Sequence, residues 1–318
     1  MTEPRILIAE ISGKRPGTSK HRPTEKLESQ HDWVIVSNNS EGYETDKPII
    51  NVPDDYREWY CANIKNSENA WYAPMNRSYA IKWARENGYD YLVQLDDNLI
   101  KLEICYYEDS SKIRRRYRIV NKPGMLDEYI RMFVTVLENT NAAMVGCQLN
   151  GIGTPDMDFL NERFVYSIFG LKLKECPDVF QGDFEDDIEY RLKCRQMGLP
   201  VVQVSALRYG KTSQRYNKDL SGCRAEYLKA GLKRGEHMSK LYGNVYSCKM
   251  AHKRASVKSA YDEEAINFKH YLKPFKVGVV VFDMEPITKC FKEILAKYAE
   301  QKPDKSIFKV KKVRKKAT

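Results

Sequence analysis

The chain has 318 residues, of which 42% are hydrophobic and 11% aromatic, and this composition fits a folded globular protein and argues against extensive disorder. No apolar run approaches the roughly 20 residues that span a bilayer. The N-terminus also lacks the pattern of a signal peptide, so we expect a soluble, cytoplasmic protein with no membrane partner. The net charge of +10 favours acidic partners such as nucleotides or nucleic acid. The eight cysteines include no C-x-x-C pair and are expected to stay reduced.

The N-terminal part alternates short apolar runs with one clearly patterned helix. The apolar runs predict strands at 5–11, 32–39, 49–53 and 91–99. Between the third and fourth runs, residues 75–87 place Met75, Tyr79 and Trp83 on one helical face, and Gly88 supplies a C-terminal stop. The fourth run reads YLVQLDDNL, so a hydrophobic strand ends in two adjacent acids and an amide.

The remainder of the chain continues this alternation and shows no internal repeat. We predict a helix at 125–139, strands at 142–148, 164–173 and 201–209, a mainly helical stretch from about 219 to 268, a strand at 276–282 and a helix at 286–300. The predicted organisation is one domain over 1–303, with a mainly helical portion around 210–270, and a basic, flexible tail over 304–318.

Strands that alternate with helices of this length predict an α/β fold with a mostly parallel central sheet and helices on both faces. In such sheets, ligands bind at the edge where the strands have their carboxyl ends. The residues that follow the predicted strands should therefore share one rim, namely 12–17, Asn38, Asn39 and 96–98.

Asp96 and Asp97 place two like charges side by side where the fourth strand leaves the core, and their repulsion must be offset. One interpretation is a capped turn, because Asp and Asn are common where a strand becomes a loop. The other is a site for a hard divalent cation such as Mg²⁺ or Mn²⁺, which would complete its shell with phosphate oxygens and water. Asn98 is a poorer metal ligand than a carboxylate.

A second acidic cluster precedes an apolar pattern that suits a helix from Ile188 onward. Glu185, Asp186 and Asp187 would lie in the first turn of that helix, where the helix dipole favours anions. The cluster could be an ordinary N-terminal cap. It could also supply a general base, since a carboxylate held by the helix can take a proton from an attacking hydroxyl.

The order of these motifs resembles that of a known enzyme class. A strand with a basic loop is followed by N-R-S-x-A-x-x-x-A, Y-L-V-Q-L-D-D-N and G-D-F-E-D-D-x-E-Y-R. Over roughly residues 5–250, this order resembles the GT-A nucleotide-sugar glycosyltransferases. Within that class it most resembles the TET-associated glycosyltransferases, which are found chiefly in bacteriophages and are thought to put sugars on hydroxymethylated pyrimidines in DNA.

The resemblance implies a GT-A fold, a UDP-sugar donor and a Mn²⁺ or Mg²⁺ cofactor. It also implies that the acceptor partner is double-stranded DNA carrying hydroxymethylated bases, with 5-hydroxymethylcytosine favoured, and that the portion around 210–270 binds this acceptor. A phage-encoded protein would act in the host cytoplasm. The resemblance does not identify the sugar.

The family pattern assigns roles to the two acidic clusters. Asp96 and Asn98 would hold the metal and the donor, with Asp97 turned toward the sugar. Asp186, within the cluster that also contains Glu185 and Asp187, would be the catalytic base if the enzyme inverts. In a retaining enzyme the same group would orient the substrate instead.

The family also suggests further ligands for the metal and the donor. Many GT-A enzymes take a metal ligand from a late histidine, for which His252 is favoured over His237, although either could be a polar surface residue. Donor contacts are expected from Lys14, Arg15, Asn38 and Arg77. The three basic side chains among them suit a diphosphate or uracil through charge-assisted hydrogen bonds, and they could equally be solvated surface charges.

A DNA-binding surface is predicted directly after the acidic tip. Residues 105–120 interleave tyrosines with basic residues, and Arg114, Arg115, Arg116 and Arg118 could neutralise phosphates while tyrosine rings stack on an exposed base. The alternative is a solvated β-hairpin whose charges only confer solubility.

Rival functions remain open at this point. The same fold could act on a protein or glycan acceptor. It could also be a non-catalytic DNA-binding module, which the amide at Asn98 makes conceivable. Clustered acids that hold catalytic Mg²⁺ are a feature of metal nucleases as well.

Overall fold

The computed structural model describes residues 3–64, 73–109, 113–150, 160–163, 165–181, 185–212, 233–250, 268–272, 278–298 and 307–309. Its strands β1 to β13 are, in chain order, Ile6–Ser12, Asp32–Ser37, Ile49–Asn51, Tyr91–Asp96, Leu99–Asp109, Ile113–Val120, Met144–Leu149, Leu160–Glu162, Ile168–Lys172, Val201–Lys211, Tyr246–Met250, Phe268–Leu272 and Ile307–Lys309. Its helices α1 to α6 are Asp54–Asn63, Ala73–Glu86, Met125–Glu138, Asp186–Gln196, Lys233–Tyr242 and Met284–Lys297. A short 3-10 helix covers Pro23–Lys26.

Eleven of these strands form one sheet, in the order β13-β6-β5-β10-β7-β9-β4-β1-β2-β3, with β8 beside β10. The α/β class is therefore confirmed. The pairings within β3-β2-β1-β4, and the pairing of β7 with β10, are parallel. The remaining pairings of the described strands are antiparallel, so the sheet is mixed and not mostly parallel. The connection between β5 and β6 shows why, because three residues are too few for a parallel crossover.

Helices cover both faces of the sheet, as predicted. Strand β1 illustrates the arrangement: Leu7, Ala9 and Ile11 join the core that contains residues of α1, α2 and α4, whereas Ile8 joins the core that contains residues of α3 and α6. A strand buried on both faces reads as a continuous apolar run, and this is why the run from Ile6 was recognisable in the sequence.

Helix α2 confirms the prediction made from the periodicity of 75–87. Met75, Ala80 and Ala84 are fully buried, and Tyr79 nearly so, against the sheet. The helix ends just before Gly88, whose φ of 72° is in the left-handed region where glycine is favoured. This helix carries Asn76 and Arg77 on its buried side, which brings two polar side chains to the edge of the sheet.

The structure differs from the predicted elements in several places. Helix α1 was not predicted, although Tyr56 and Tyr60 lie one turn apart and are buried. The stretch predicted as helical from about 219 to 268 contains β11 as well as α5, because β11 pairs with β12, which begins at Phe268. The strand predicted at 276–282 is not a strand in its described part, where Val281 makes one isolated bridge to Thr140.

Two further features bear on the predicted organisation. Residues 307–309, within the segment predicted as a tail, form β13 at the edge of β6, and the rest of that tail lies outside the described residues. Helix α5 is attached to α4, because the Tyr242 hydroxyl donates a hydrogen bond to Glu189 Oε1 over 2.6 Å. In the described part of the chain, no helix combines the length and the apolar character needed to cross a bilayer.

Candidate functional site

The carboxyl ends of β1, β2 and β4 meet at one edge of the sheet, as the strand pattern predicted. Ile11 is in register with Asp96, and Ser12 is in register with Ser37. Residues 96–98, here called the acidic tip, form the turn from β4 into β5. The rim predicted from the sequence is therefore present, with Ser12 beside the tip.

The turn itself is held by Thr24 of the 3-10 helix. The Thr24 hydroxyl donates a hydrogen bond to the carbonyl oxygen of Asp96 over 2.6 Å and accepts one from the amide of Leu99 over 2.8 Å. The Thr24 amide also donates to the carbonyl oxygen of Asp97 over 3.3 Å. Since these bonds fix the backbone on both sides of the turn, the tip is a rigid element, as a site for ligands requires.

Asp96 is bound by two cationic side chains. Its Oδ1 accepts a hydrogen bond from Arg77 Nη2, and its Oδ2 accepts one from Lys211 Nζ, each over 2.6 Å. Burial by itself would raise the pKa of this carboxyl, but the charges of Lys211 and Arg77 outweigh it and lower the pKa below its ordinary value. Asp96 is consequently ionised at neutral pH.

Asp97 turns away from Asp96 toward the first loop. Its Oδ2 accepts a hydrogen bond from Ser12 Oγ over 2.7 Å, and its Oδ1 lies 3.1 Å from Arg15 Nη1. Ser12 Oγ is in turn 2.9 Å from the hydroxyl of Tyr43. Burial raises the pKa of Asp97, and Arg15 and Ser12 oppose that effect in part. Asp97 thus joins the tip to the loop that follows β1.

The repulsion between the adjacent carboxylates is offset by the protein's own cations. Arg15 forms an ion pair with Asp97, while Arg77 and Lys211 form ion pairs with Asp96. From the sequence, the two acids were interpreted either as a capped turn or as a site whose bound cation neutralises them. Three basic side chains from different parts of the chain already provide it in the structure.

Arg77 joins the two acidic clusters. Besides Asp96, its guanidinium donates from Nε to Asp186 Oδ2 over 2.8 Å and from Nη1 to Gln94 Oε1 over 3.2 Å. Arg77 and Asp186 are 109 residues apart in the sequence. The side chain of Arg77 is only 7% exposed, so this bridge lies within the protein rather than on its surface. The acids near 186 and the acidic tip therefore form one site.

The second cluster begins α4, as predicted. Asp186 and Asp187 are its first residues, and Glu185 is its N-cap residue. Burial raises the pKa of Asp186, with Arg77 lowering it and Asp96 raising it further. The pKa of Asp187 is raised more strongly, by burial and then by the charges of Asp186 and Glu185. Carboxyls with raised pKa values are better proton acceptors once ionised, which is the property of a general base.

The other predicted donor contacts lie on the same rim. Asn38 Oδ1 accepts a hydrogen bond from Asn76 Nδ2 over 3.3 Å, and the same amide nitrogen donates to the carbonyl oxygen of Ser12 over 2.9 Å. A Cβ atom on Gly13 would lie 2.9 Å from Asn38 Oδ1, so a larger residue there would displace the Asn38 side chain. Lys14 has a φ of 56°, and its amide bonds the carbonyl of Asn39 over 3.0 Å.

The described residues can be tested for their fit to a divalent cation. Among the described residues, no group of three or more His, Cys, Asp or Glu side chains is arranged to hold a metal ion. Asn98 Oδ1 is nevertheless a buried oxygen with no hydrogen-bond partner in the described part of the chain. A site made of Asp96, Asn98, phosphate oxygens and water fits the way in which Mg²⁺ is commonly held. His237 is half-buried on α5, and His252 lies outside the described residues.

The four arginines predicted to bind DNA lie on β6, and the structure describes side-chain contacts for Arg118 but only backbone pairing for the other three. Arg118 forms a bidentate ion pair with Glu103, from Nε to Oε1 over 2.8 Å and from Nη2 to Oε2 over 2.6 Å. Burial alone would raise the pKa of Glu103, but bonds from Arg118 and Lys101 lower it to about 2. The guanidinium of Arg118 therefore neutralises a buried carboxylate within the protein. Residues 114–116 pair with β5 and, in part, with β13 through their backbone, and their side chains are outside the description.

Several residues that contact the tip, including Ser12, Thr24 and Lys211, were missed in the sequence. Ser12 was placed on the rim but given no role, and neither Thr24 nor Lys211 was given a role at the tip. Strand β10 is parallel to β7, β7 is antiparallel to β9, and β9 is antiparallel to β4. Strand β10 therefore runs in the same direction as β4. The carboxyl end of β10 therefore lies on the same rim as Asp96. The apolar run predicted as a strand at 201–209 was the signal in the sequence for this position.

A cavity of about 430 Å³ lies behind the acidic tip, next to the start of β5 and of α3. Its lining includes Leu99, Ile100, Leu102, Met125 and Leu126, which makes it largely apolar. None of the predicted site residues lines it. The polar site on the rim, and not this cavity, is where the chemistry-bearing side chains meet.

Comparison with known proteins gives structural likeness only. No family model matches the chain, and no curated protein matches its sequence. A solved structure described as a nucleotide-diphospho-sugar transferase from Desulfovibrio desulfuricans G20 shares 12% identity at a TM-score of 0.37, covering 71% of this chain and 95% of that one. Glucosyl-3-phosphoglycerate synthase from Mycobacterium tuberculosis, in complex with Mn²⁺, UDP and glucosyl-3-phosphoglycerate, shares 10% identity at a TM-score of 0.41, covering 90% of this chain and 92% of that one. Likeness of this extent assigns no function to this chain, and the TET-associated subfamily stays a prediction.

Proposed function

We propose that this protein is a glycosyltransferase that moves a sugar from a UDP-sugar to the hydroxymethyl group of a modified pyrimidine in DNA, with 5-hydroxymethylcytosine as the favoured base. The observation that carries the proposal is the guanidinium of Arg77, which binds Asp96 and Asp186 at once. Sugar transfer requires a group that binds the donor and a base that deprotonates the acceptor. Arg77 holds the acidic tip and Asp186 next to each other, so both requirements can be met in one site.

The donor half of the site is the rim around the acidic tip. A nucleotide diphosphate is anionic, and Arg15 at the rim can supply charge-assisted hydrogen bonds to it. Asp96 and Asn98 would hold the divalent cation, with His252 as a further predicted ligand. When bound, the cation would neutralise negative charge on the diphosphate. The side chains of the protein then have to bind and orient the nucleotide.

The acceptor half of the site is the start of α4. We assign Asp186 as the group that takes the proton of the acceptor hydroxyl, with Arg77 fixing the carboxylate over 2.8 Å. Its pKa is raised by burial, and a base with a raised pKa has a greater drive to accept that proton. Glu185 and Asp187 stand with Asp186 at the helix N-terminus, where the helix dipole offsets part of the repulsion among the three carboxyl groups.

DNA as the acceptor is supported by charge and position. The chain carries a net charge of +10. Strand β5 begins at Leu99, directly after the tip, and returns as β6, whose sequence IRRRYRIV contains residues 114–116. An arginine-rich hairpin that starts at the reaction site suits a polyanionic substrate, because each arginine can neutralise a phosphate.

The proposal is tested by incubating the protein with a panel of UDP-sugars, Mn²⁺ and either plain or hydroxymethylated DNA, followed by nucleoside mass analysis. A mass gain on hydroxymethylated DNA alone is the expected result. Asp96→Asn should abolish it, whereas Asp54→Asn, at a side chain that is 91% exposed, should not.

Other outcomes of that experiment would overturn the proposal in distinct ways. Sugar transfer to a protein or glycan acceptor, with none to DNA, would leave a glycosyltransferase and remove the DNA acceptor. Cut DNA without any sugar donor would indicate a nuclease. DNA binding in gel-shift assays with neither UDP binding nor turnover would indicate a non-catalytic module.

A further inference from the structure

We propose that Lys211 binds the leaving diphosphate, and that it does so by exchanging its contact with Asp96 for one with the phosphate oxygens. The inference rests on the proposed function and goes beyond it, because it assigns to the end of β10 a role in stabilising the departing group. Neither the sequence motifs nor the family resemblance points to this lysine.

The first support is the difference in exposure between the two cations on Asp96. The side chain of Lys211 is 29% exposed, whereas that of Arg77 is 7% exposed, and both bind Asp96 over 2.6 Å. Arg77 is also bound to Asp186 and Gln94 and cannot leave without breaking those bonds. Lys211 is therefore the partner that faces the solvent side of the tip and is able to move.

The second support is the unused capacity of the lysine. An ammonium group has three donors, and within the described residues the hydrogen bond of Lys211 goes to Asp96 alone. The flexible four-carbon stem lets the charge move between acceptors that lie close together. When Lys211 turns to a phosphate, Asp96 keeps its ion pair with Arg77, so the buried carboxylate is not left without a cation.

The third support is the way in which the backbone directs Lys211 onto the tip. The pairing of β10 with β5 is regular up to Gly210 and Lys101 and then shifts, so that Lys211 is opposite Leu99 and Ile100 is left over. Such a bulge redirects a side chain and is common beside active sites. The amide of Thr212 then donates to the carbonyl oxygen of Asn98 over 2.9 Å, which ties the end of β10 to the tip.

The role of the lysine follows from the charges in the transfer. The bond between the anomeric carbon and the diphosphate oxygen breaks, and its electron pair stays on the diphosphate. The acceptor oxygen forms the new bond to the anomeric carbon, and its proton goes to Asp186. Negative charge thus grows on the diphosphate, and a positioned donor that meets it there lowers the barrier. Lys211 donates hydrogen bonds in this step and keeps its proton.

The test compares Lys211→Met and Lys211→Arg with the wild type, and uses Lys82→Met as the matched control, since Lys82 is exposed on α2 and pairs with Glu86. Calorimetry with UDP and with uridine is carried out with Mn²⁺ and with a chelator. Lys211→Met should lower UDP affinity roughly tenfold to a hundredfold and leave uridine affinity unchanged. It should also lower kcat by about a hundredfold, with a partial return in Lys211→Arg.

The possible results separate the inference from the function on which it rests. If the wild type binds UDP and Lys211→Met binds it equally well, the inference is overturned and the proposed function stands. If the wild type does not bind UDP, both are overturned. A loss of uridine affinity equal to the loss of UDP affinity would show a general structural role for Lys211 and would also overturn the inference. Thermal melting of both variants shows whether they are folded.

Discussion

At the scale of single residues, the geometry of Arg77 explains why an arginine is needed between the acidic clusters. A guanidinium is planar, always charged and able to donate in several fixed directions, whereas an ammonium is a point charge. Arg77 uses these directions for Asp96, Asp186 and Gln94. Its position, 5.3 Å from the centre of the Phe169 ring, adds a cation–π contact. Replacement by lysine would therefore lose the bridge while keeping the charge.

Glu10 is a second residue whose environment has a measurable consequence. It is fully buried in β1, and both of its carboxyl oxygens lack a hydrogen-bond partner among the described residues. Burial, followed by the charges of Asp97 and Glu25, raises its pKa well above the ordinary value. The folded protein therefore favours the protonated form, and the unfolded chain ionises this carboxyl near its ordinary pKa of about 4.3.

The sign of the resulting pH dependence is fixed by these two states. The stability that protonated Glu10 contributes is complete below its ordinary pKa and is lost as the pH rises toward the raised pKa of the folded state. Glu10→Gln stays neutral at every pH, so its free energy of unfolding should exceed that of the wild type by a margin that grows between pH 5 and pH 8. We expect growth on the order of 2 kcal/mol. Urea denaturation at four pH values measures it.

The control for this prediction is Glu28→Gln, at an exposed side chain. Its difference from the wild type should be small and should not vary with pH. A constant difference between Glu10→Gln and the wild type across this range would show that Glu10 has no raised pKa in the folded protein.

At the scale of elements, the hairpin of β5 and β6 divides into a structural part and a candidate binding part. Near its base, Arg118 neutralises Glu103, and that carboxylate is fully buried. Further out, β13 pairs with β6 at Arg114 and Arg115, so the edge of β6 is covered along that length. Base recognition by Arg118 is therefore disfavoured, and the prediction of DNA contact rests on residues 114–116.

The hairpin prediction is tested with the combined variant Arg114→Ala, Arg115→Ala and Arg116→Ala. Three phosphate contacts contribute about 2.7 to the slope of log affinity against log salt concentration, so the slope should fall by about that amount. Fluorescence anisotropy with a DNA duplex at several salt concentrations measures it. Alanine replacement of Lys174, Lys289 and Lys292, all exposed, removes equal charge elsewhere and is the matched control. Equal slopes for the two combined variants would remove this hairpin from the proposed DNA surface.

At the scale of the whole molecule, the sequence predicted the rim but not the partners across it. An apolar run that ends in polar residues marks the carboxyl end of a strand, and this located Asp96, Asn38 and Ser12 at one edge. The order of the strands decides which side chains face each other there, and no local pattern contains it. Lys211 reaches Asp96 because β10 and β5 pair over a separation of about a hundred residues. The same limit explains why β11 was assigned to a helical stretch.

The assembly of one site from many segments gives the last prediction, which concerns ligand-dependent stability. A ligand that binds the folded protein alone stabilises it, by about 2.7 kcal/mol at a hundredfold excess over Kd. For a chain of this length, that corresponds to a rise in Tm of about 4 °C. UDP with Mn²⁺ should produce this rise, since its binding depends on the acidic tip and on the loop after β1, which are joined only in the folded state.

Removal of the metal distinguishes diphosphate binding through a divalent cation from diphosphate binding through basic side chains alone. With a chelator present, the rise in Tm with UDP should fall to less than half, because a diphosphate without its cation faces Asp96 and Asp97 directly. Asp96→Asn should abolish the dependence on Mn²⁺, and Asp54→Asn should retain it. An equal rise with Mn²⁺ and with the chelator would show that Arg15, Arg77 and Lys211 are sufficient to bind the nucleotide, and the cation would then have no place in the mechanism.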